Sequence, residues 1–302
     1  MQKFRELISI YNRKEIILLA FFIFVFTFTA CSQEQATQGL KYTLTGDNTA
    51  YEVSKGTATA ANVVIPAKYN NKPVTGIAAM DPETSSGGFS GYTGMTSITI
   101  PNSVTNIGFR AFSGCDGLTS ITIPGSVTSI GDLAFEDCYG LTSVTIPNSM
   151  TEIGNGVFAG CGLTSVTIPN SVTGIGNLAF GNCSSLTEIT IPDSVVNLGE
   201  FAFINCSNLK SVIISNNVTG IGTMTFLNCT GLTSVTIPNS VTEIGYGAFN
   251  GCTGITRITI GANVILGNSS FANNFLALYD NGGMLEGTYT RPNNNSNIWT
   301  KQ

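Results

Sequence analysis

The chain has 302 residues and a net charge of −5, and only 10% of its residues are charged, against about 25% in average soluble proteins. It contains no histidine, which removes the commonest general base and the commonest transition-metal ligand. The residues beyond position 31 contain no cluster of Lys and Arg, which argues against nucleic-acid binding. We therefore expect no enzymatic activity, no metal and no cofactor.

The N-terminal segment is organised like a bacterial export signal. An apolar run extends from residue 16 to about residue 27 and is too short to cross a bilayer as a helix. It ends in Phe28-Thr29-Ala30-Cys31, which resembles the bacterial lipobox. The basic residues before the run are Lys3, Arg5, Arg13 and Lys14. We predict that residues 1–30 are a lipoprotein signal peptide and that Cys31 is lipidated. An ordinary signal peptide followed by a chance cysteine is the alternative.

These features predict an exported protein, anchored by lipid to the cell envelope at the outer membrane or cell surface. A lipid on Cys31 would be the only membrane attachment, because an acyl anchor does not span the bilayer. Residues 31–39 are predicted to form a polar tether. Residues 40–94 are predicted to form an N-terminal cap and a first, irregular repeat.

Residues 95–274 contain a repeat with a period of about 23 residues, within the range that is typical of leucine-rich-repeat solenoids. Seven cysteines recur once per repeat: Cys115, Cys138, Cys161, Cys183, Cys206, Cys229 and Cys252. Stacks of such repeats present extended surfaces for binding. Residues 275–302 depart from the period and are predicted to form a C-terminal cap.

Each repeat is predicted to form one coil with a short strand. Ile121-Thr122-Ile123 alternates apolar and polar residues, which is typical of a half-buried strand, and Pro124 ends it. Further along the coil, Ala134, Phe135 and Cys138 form a second apolar group on a turn or a short 3₁₀ segment. Stacking such coils predicts a ladder of eight parallel strands, with columns of Leu, Phe and Cys inside.

The unit from Leu232 to Cys252 reads Leu-Thr-Ser-Val-Thr-Ile-Pro-Asn-Ser-Val-Thr-Glu-Ile-Gly-Tyr-Gly-Ala-Phe-Asn-Gly-Cys. It resembles the BspA-like, or Treponema pallidum-type, leucine-rich repeat of bacterial surface proteins. The resemblance covers about residues 40–302. It implies a secreted or lipid-anchored protein involved in adhesion, coaggregation or contact with host matrix, and it supplies no catalytic motif.

The seven repeat cysteines allow two interpretations. Exported proteins often pair their cysteines, and stacked neighbours would lie within disulfide range. However, seven cysteines cannot pair completely, and equivalent side chains in a stack point the same way. We favour a column of buried free thiols that pack as small apolar side chains.

The outward side of the strands is the candidate binding face. It is mainly a column of threonines. Glu188, Lys210, Ile213 and Arg257 depart from this pattern and suggest a local docking patch. The face comprises Thr122, Thr145, Thr167, Thr190, Thr236, Glu188, Lys210, Ile213 and Arg257. Alternatively, Thr simply suits an exposed strand. The expected partner is a protein or glycan on host or neighbouring cells. The other hypothesis is a structural envelope protein or glycan-binding module with no host role.

Overall fold

The computed structural model describes residues 35–84, 86–271 and 275–302. Thr37–Gln302 forms one compact unit. Its described residues wind into a solenoid of stacked coils, and a regular coil has two short strands and one turn region. The predicted leucine-rich-repeat solenoid is therefore confirmed.

The described residues contain 24 strands and one helix. In chain order they are β1 Lys41–Leu44, β2 Tyr51–Ser54, β3 Asn62–Val64, β4 Lys68–Tyr69, β5 Lys72–Ile77, β6 Met80–Asp81, β7 Ser86–Gly87, β8 Ser97–Thr99, β9 Asn106–Ile107, β10 Ser120–Thr122, β11 Ser129–Ile130, β12 Ser143–Thr145, β13 Glu152–Ile153, β14 Gly174–Ile175, β15 Glu188–Thr190, β16 Asn197–Leu198, β17 Ser211–Ile213, β18 Gly220–Ile221, β19 Ser234–Thr236, β20 Glu243–Ile244, β21 Arg257–Ile260, β22 Ile265–Leu266, α1 Phe275–Asn281, β23 Gly287–Thr290 and β24 Thr300–Lys301.

The first row of strands is the predicted ladder. Its parallel pairs are β3–β8, β10–β12, β15–β17 and β19–β21. In most of these strands the middle residue is buried and its two neighbours are exposed, as in Ser120–Thr122. Seven of the eight predicted strands of the regular array are present. Residues 165–167, where the fourth was expected, form no strand.

A second row of parallel strands was not predicted. It joins β2, β5, β9 and β11, and then β13, β14, β16, β18, β20 and β22. From β9 onwards each of these strands has only two residues, and its inner residue is typically buried, as in Ile153 and Ile175. A regular coil of this chain therefore contributes one strand to the first row and one to the second row.

The remaining side of each coil is built from turns, and no residue of the described ranges lies in a 3₁₀ helix. Backbone amides there donate to carbonyls of the next coil. Phe112 N donates to Ala134 O at 2.8 Å, and Phe180 N donates to Ala202 O at 2.8 Å. The turns are thus tied together along the stack, as the strands are.

The core consists of continuous columns between these three sides. Nine phenylalanines stack with ring centroids 4.8–5.6 Å apart and interplanar angles of 5–18°. They are Phe89, Phe112, Phe135, Phe158, Phe180, Phe203, Phe226, Phe249 and Phe271. The leucine and cysteine columns lie beside them and are also buried. No single coil could bury this apolar surface alone, so each coil depends on its neighbours.

The first described residues contribute hairpins to the stack. Strand β1 pairs antiparallel with β2, which joins the second row through β5. The insertions 67–72 and 79–88 contain β4, which pairs with β5, and the β6–β7 hairpin. The one register shift in the described pairings lies between Tyr51 and Glu52.

The last residues cover the end of the first row. Strand β23 pairs antiparallel with β21, and β24 pairs with β23. Arg291 is buried, and its guanidinium donates to the carbonyls of Ile255 at 2.6 Å and Thr253 at 2.7 Å. The same guanidinium lies 5.2 Å from the ring centre of the buried Trp299. These contacts tie the chain's end to the carbonyls of the last regular coil.

Candidate binding surface

All nine residues of the predicted binding face lie on the outer side of the first row, and all nine are exposed. Thr122, Thr145, Thr190 and Thr236 lie at the ends of first-row strands, and Thr167 occupies the same register in the coil that lacks a strand. Strand pairing places equivalent residues of adjacent coils beside each other, as Thr122 beside Thr145. The threonines therefore form one column along the solenoid axis.

Glu188, Lys210 and Ile213 lie close together, but Arg257 does not. Glu188 is paired with Ser211, which follows Lys210, and Thr190 is paired with Ile213. Arg257 lies two strands beyond Ile213 and three beyond Glu188, or about 10 Å and 14 Å at the usual strand spacing, and it is opposite Thr290 of β23. The four departures from the threonine pattern therefore do not make a single patch.

The missing strand follows a shortened coil. One residue separates Cys161 from Leu163, whereas two separate Cys138 from Leu141 and Cys183 from Leu186. Across the coil without a strand, Val166 is only partly buried, and so is Val144 in the coil before it. The equivalent residues Ile121 and Ile189 are 4% and 2% exposed. The deletion therefore loosens the first row where it passes through residues 165–167.

A groove begins at this loosened coil. Two cavities, of about 640 Å³ and 430 Å³, lie end to end and share Asn216. Together they cross five coils and end at residues 286–288, next to β23. We call them the axial groove. It is lined by two rows, the strand residues Thr167, Thr190, Ile213, Thr236 and Thr259 and the loop residues Asn170, Asp193, Asn216 and Asn239.

The side chains of the loop row lie at the surface, and no hydrogen bond within the described residues uses them. The same holds for the hydroxyls of Thr167, Thr190 and Thr236. Ile213 is 62% exposed between them. The two rows of the groove therefore offer unused amides, hydroxyls and the Asp193 carboxylate beside the exposed apolar side chain of Ile213.

Other exposed polar columns are already occupied by contacts within the stack. Thr142 donates through its hydroxyl to Thr119 O at 3.2 Å, and Thr187 donates to Thr164 O at 3.3 Å. The amide groups of three asparagines also bond in series at 2.9 Å. These asparagines are Asn182, Asn205 and Asn228. Such columns hold neighbouring coils together, and their hydrogen-bonding groups are already used within the protein and are less available to a ligand.

The seven repeat cysteines are buried, and each thiol donates to a phenylalanine carbonyl of the preceding coil at 3.0–3.2 Å. Burial is the main cause that raises the pKa of the Cys161 and Cys183 thiols. A thiol held neutral in this way is a poor nucleophile. The column therefore has a structural role.

The described residues hold no group of three or more His, Cys, Asp or Glu side chains arranged for a metal ion. Asp47 has the carboxyl pKa that shifts most clearly, to about 2, because the Thr45 and Thr49 hydroxyls donate to it. It is exposed and far along the chain from the groove. The axial groove itself presents the amides of its loop row and the hydroxyls of its strand row, which are hydrogen-bonding groups.

The sequence contained a signal for the loop row that was missed. Asn170, Asp193, Asn216 and Asn239 recur once per repeat, three positions after the outward strand residue. Cys31, the predicted lipidation site, lies outside the described residues. Within the described ranges no helix has the length and apolar character needed to cross a membrane.

Comparisons with known proteins agree with the repeat pattern. The model of the BspA type leucine-rich repeat region matches residues 83–162 and 151–277, which together cover more than half of the chain. No curated protein matches the chain. Among solved structures, the T. pallidum leucine-rich repeat protein is 26% identical, with 74% of this chain and 91% of that one covered and a TM-score of 0.49.

Two further solved structures are similar to this chain. A leucine-rich repeat protein from Bacteroides ovatus is 25% identical, with 78% of this chain and 90% of that one covered and a TM-score of 0.37. A leucine-rich cell surface protein from Faecalibacterium prausnitzii is 23% identical, with coverages of 82% and 96% and a TM-score of 0.34.

Proposed function

Because the chain belongs to the BspA-type leucine-rich-repeat family, we propose that it is an exported bacterial surface protein that binds a macromolecular ligand through its first-row strand face. The ligand is a component of host matrix or of neighbouring cells, so the protein works in adhesion. It acts by binding and catalyses no reaction. Its attachment to the envelope is the lipid on Cys31, which the four-residue lipobox supports.

One observation supports binding at this face above the others. The outward threonines Thr167, Thr190 and Thr236 and the loop row of the axial groove have side chains that make no hydrogen bond within the described residues, whereas the polar columns that contain Thr142 and Asn205 are bonded to the preceding coil. A surface of unused polar groups in fixed positions is suited to a partner, because pre-organised groups lose little conformational freedom on binding.

The test is binding of the purified protein to matrix proteins, mucins, whole cells and envelope extracts. The variant Thr167→Lys/Thr236→Lys places two charges on the strand face. Thr219→Lys, which adds one charge on another side of the solenoid, is the control, since Thr219 is an exposed threonine next to the second row of strands. We expect saturable binding to a host or cell component that the double variant loses and the control keeps.

Two results would contradict adhesion. Binding confined to the bacterium's own envelope extracts would favour the alternative, a structural envelope protein without a host role. Binding that survives Thr167→Lys/Thr236→Lys but is lost in Thr219→Lys would move the ligand to the other side of the solenoid.

A further inference from the structure

Given the strand-face binding proposed above, we infer that the ligand of the axial groove is a linear, uncharged polysaccharide that lies along the solenoid axis. The groove repeats once per coil, and the coils are about 5 Å apart, as the ring spacings of 4.8–5.6 Å in the phenylalanine column show. An extended chain of sugar rings repeats at about the same interval. Each ring would therefore face one coil.

The length of the groove sets the size of the ligand. It runs from Thr167 to Thr259, which are four coil steps apart, or roughly 19 Å at the usual strand spacing. An extended glycan of about five rings fills this length at one ring per coil. Beyond the last coil, Glu286, Gly287 and Thr288 close the end of the groove.

The groups in the groove suit sugar hydroxyls. Asn170, Asn216 and Asn239 can each donate and accept through their amides, and the threonine hydroxyls can do both as well. No hydrogen bond within the described residues competes for these amides. Ile213, 62% exposed in the middle of the groove, offers an apolar contact to the C–H face of a ring.

The charge of the groove selects an uncharged glycan over an acidic one. Its described lining carries the carboxylates of Glu188, Asp193 and Glu286 and contains no Lys or Arg. The one ion pair among the described residues joins Arg110 to Glu136 and leaves these carboxylates unpaired. Sulfated and uronate-rich chains would meet like charge here, which costs affinity.

A polypeptide fits the groove less well. Protein interfaces obtain most of their affinity from a few buried anchors, chiefly Trp, Tyr and Arg, in dry pockets. The described lining contains none of these residue types, and Ile213 is its one strongly exposed large apolar side chain. Regularly spaced neutral groups instead suit a ligand that repeats.

The experiment is calorimetric titration of the full chain with uncharged linear oligosaccharides of two to eight rings. The set covers gluco-, manno-, galacto-, xylo- and N-acetylglucosamine series, with heparin and a matrix-protein panel alongside. We expect at least one series to bind, with affinity rising to about five rings and then levelling off. Asn216→Ala/Asn239→Ala is expected to weaken binding about tenfold or more, since two hydrogen-bonding amides are lost.

The matched control is Asn102→Ala/Asn148→Ala. These asparagines occupy the same register and are exposed, but they lie outside the groove. The control should bind like wild type. Affinity that does not depend on chain length would overturn the inference, as would equal loss in both double variants.

The two proposals fail in different ways. Binding to a protein or to heparin that Thr167→Lys/Thr236→Lys abolishes, with no uncharged series bound, would overturn the glycan inference and leave the strand-face function standing. Binding of every ligand unaffected by Thr167→Lys/Thr236→Lys would overturn both.

Discussion

Raising the pH above 9 is expected to destabilise the solenoid through its buried thiols, and Cys183 gives a clear test. Cys183 is fully buried, and its Sγ donates to Phe158 O at 3.1 Å. Burial raises the pKa of this thiol well above its ordinary value of 9.0. Well below pH 9 the thiol is neutral in both the folded and the unfolded chain. Above pH 9 only the unfolded chain loses the proton, so the free energy of unfolding falls as the pH rises.

The size of the effect follows from this difference in ionisation. At pH 10, one unit above the unfolded pKa, ionisation of one thiol favours unfolding by about 1.4 kcal/mol. At pH 8 its contribution is below about 0.1 kcal/mol. Between these pH values the wild type should therefore lose about 1.4 kcal/mol more than Cys183→Ala, which lacks the titrating group.

The assay is urea unfolding of wild type and Cys183→Ala at pH 8 and pH 10. Substitution also changes packing, but that cost is the same at both pH values and cancels in the comparison. Leu186→Val, a change at another fully buried residue of the same coil, should keep the wild-type pH dependence. If Cys183→Ala and wild type lose the same stability between the two pH values, the thiol does not stay neutral in the folded state.

Phe180→Leu should cost about 1 kcal/mol more stability than Phe89→Leu, because Phe180 stacks on two rings at 5.6 and 5.4 Å and Phe89 on one at 5.5 Å. Equal losses in urea unfolding would contradict pairwise stacking. Asn205→Ala should lower stability by about 1–3 kcal/mol, because it removes two 2.9 Å hydrogen bonds and strains a backbone with φ of 58°. Asn205→Gly should lose less stability than Asn205→Ala, because glycine adopts this φ without strain. A larger loss in Asn205→Gly would rule out the backbone strain. Cys31→Ser should release the protein from the membrane fraction, and continued retention would exclude the lipid anchor.

The repeat period predicted the solenoid because stacking forces one residue type into each buried position. Phe135 and Cys138 could be placed inside from their columns alone, since no coil can hide them without a neighbour. The second row of strands had no comparable signal. Glu152–Ile153 and Gly174–Ile175 are two residues long, too short for the alternation by which strands are recognised. They pair because the stack brings them together.

The shortened coil was visible in the sequence, but its consequence was not. The interval from Cys161 to Cys183 is one position shorter than every other interval between successive repeat cysteines. The contact that a one-residue deletion removes depends on which part of the coil departs from the regular backbone path. Thr164 N still donates to Thr142 O at 3.2 Å, so the register is kept at the start of the coil. The loss falls on residues 165–167, where the groove begins.

The candidate binding residues were the hardest to predict, because two exposed threonine columns of the first row differ only in geometry. Thr142 and Thr167 are both exposed and both recur with the repeat. The hydroxyl of Thr142 reaches the carbonyl of the preceding coil at 3.2 Å, whereas the hydroxyl of Thr167 has no such partner among the described residues. In a stack, a polar column bonded between coils stabilises the fold, and an unbonded column is available to a ligand. Only coordinates separate the two, and this separation is the reason for placing the ligand on the Thr167 column of the strand face and not on the Thr142 column.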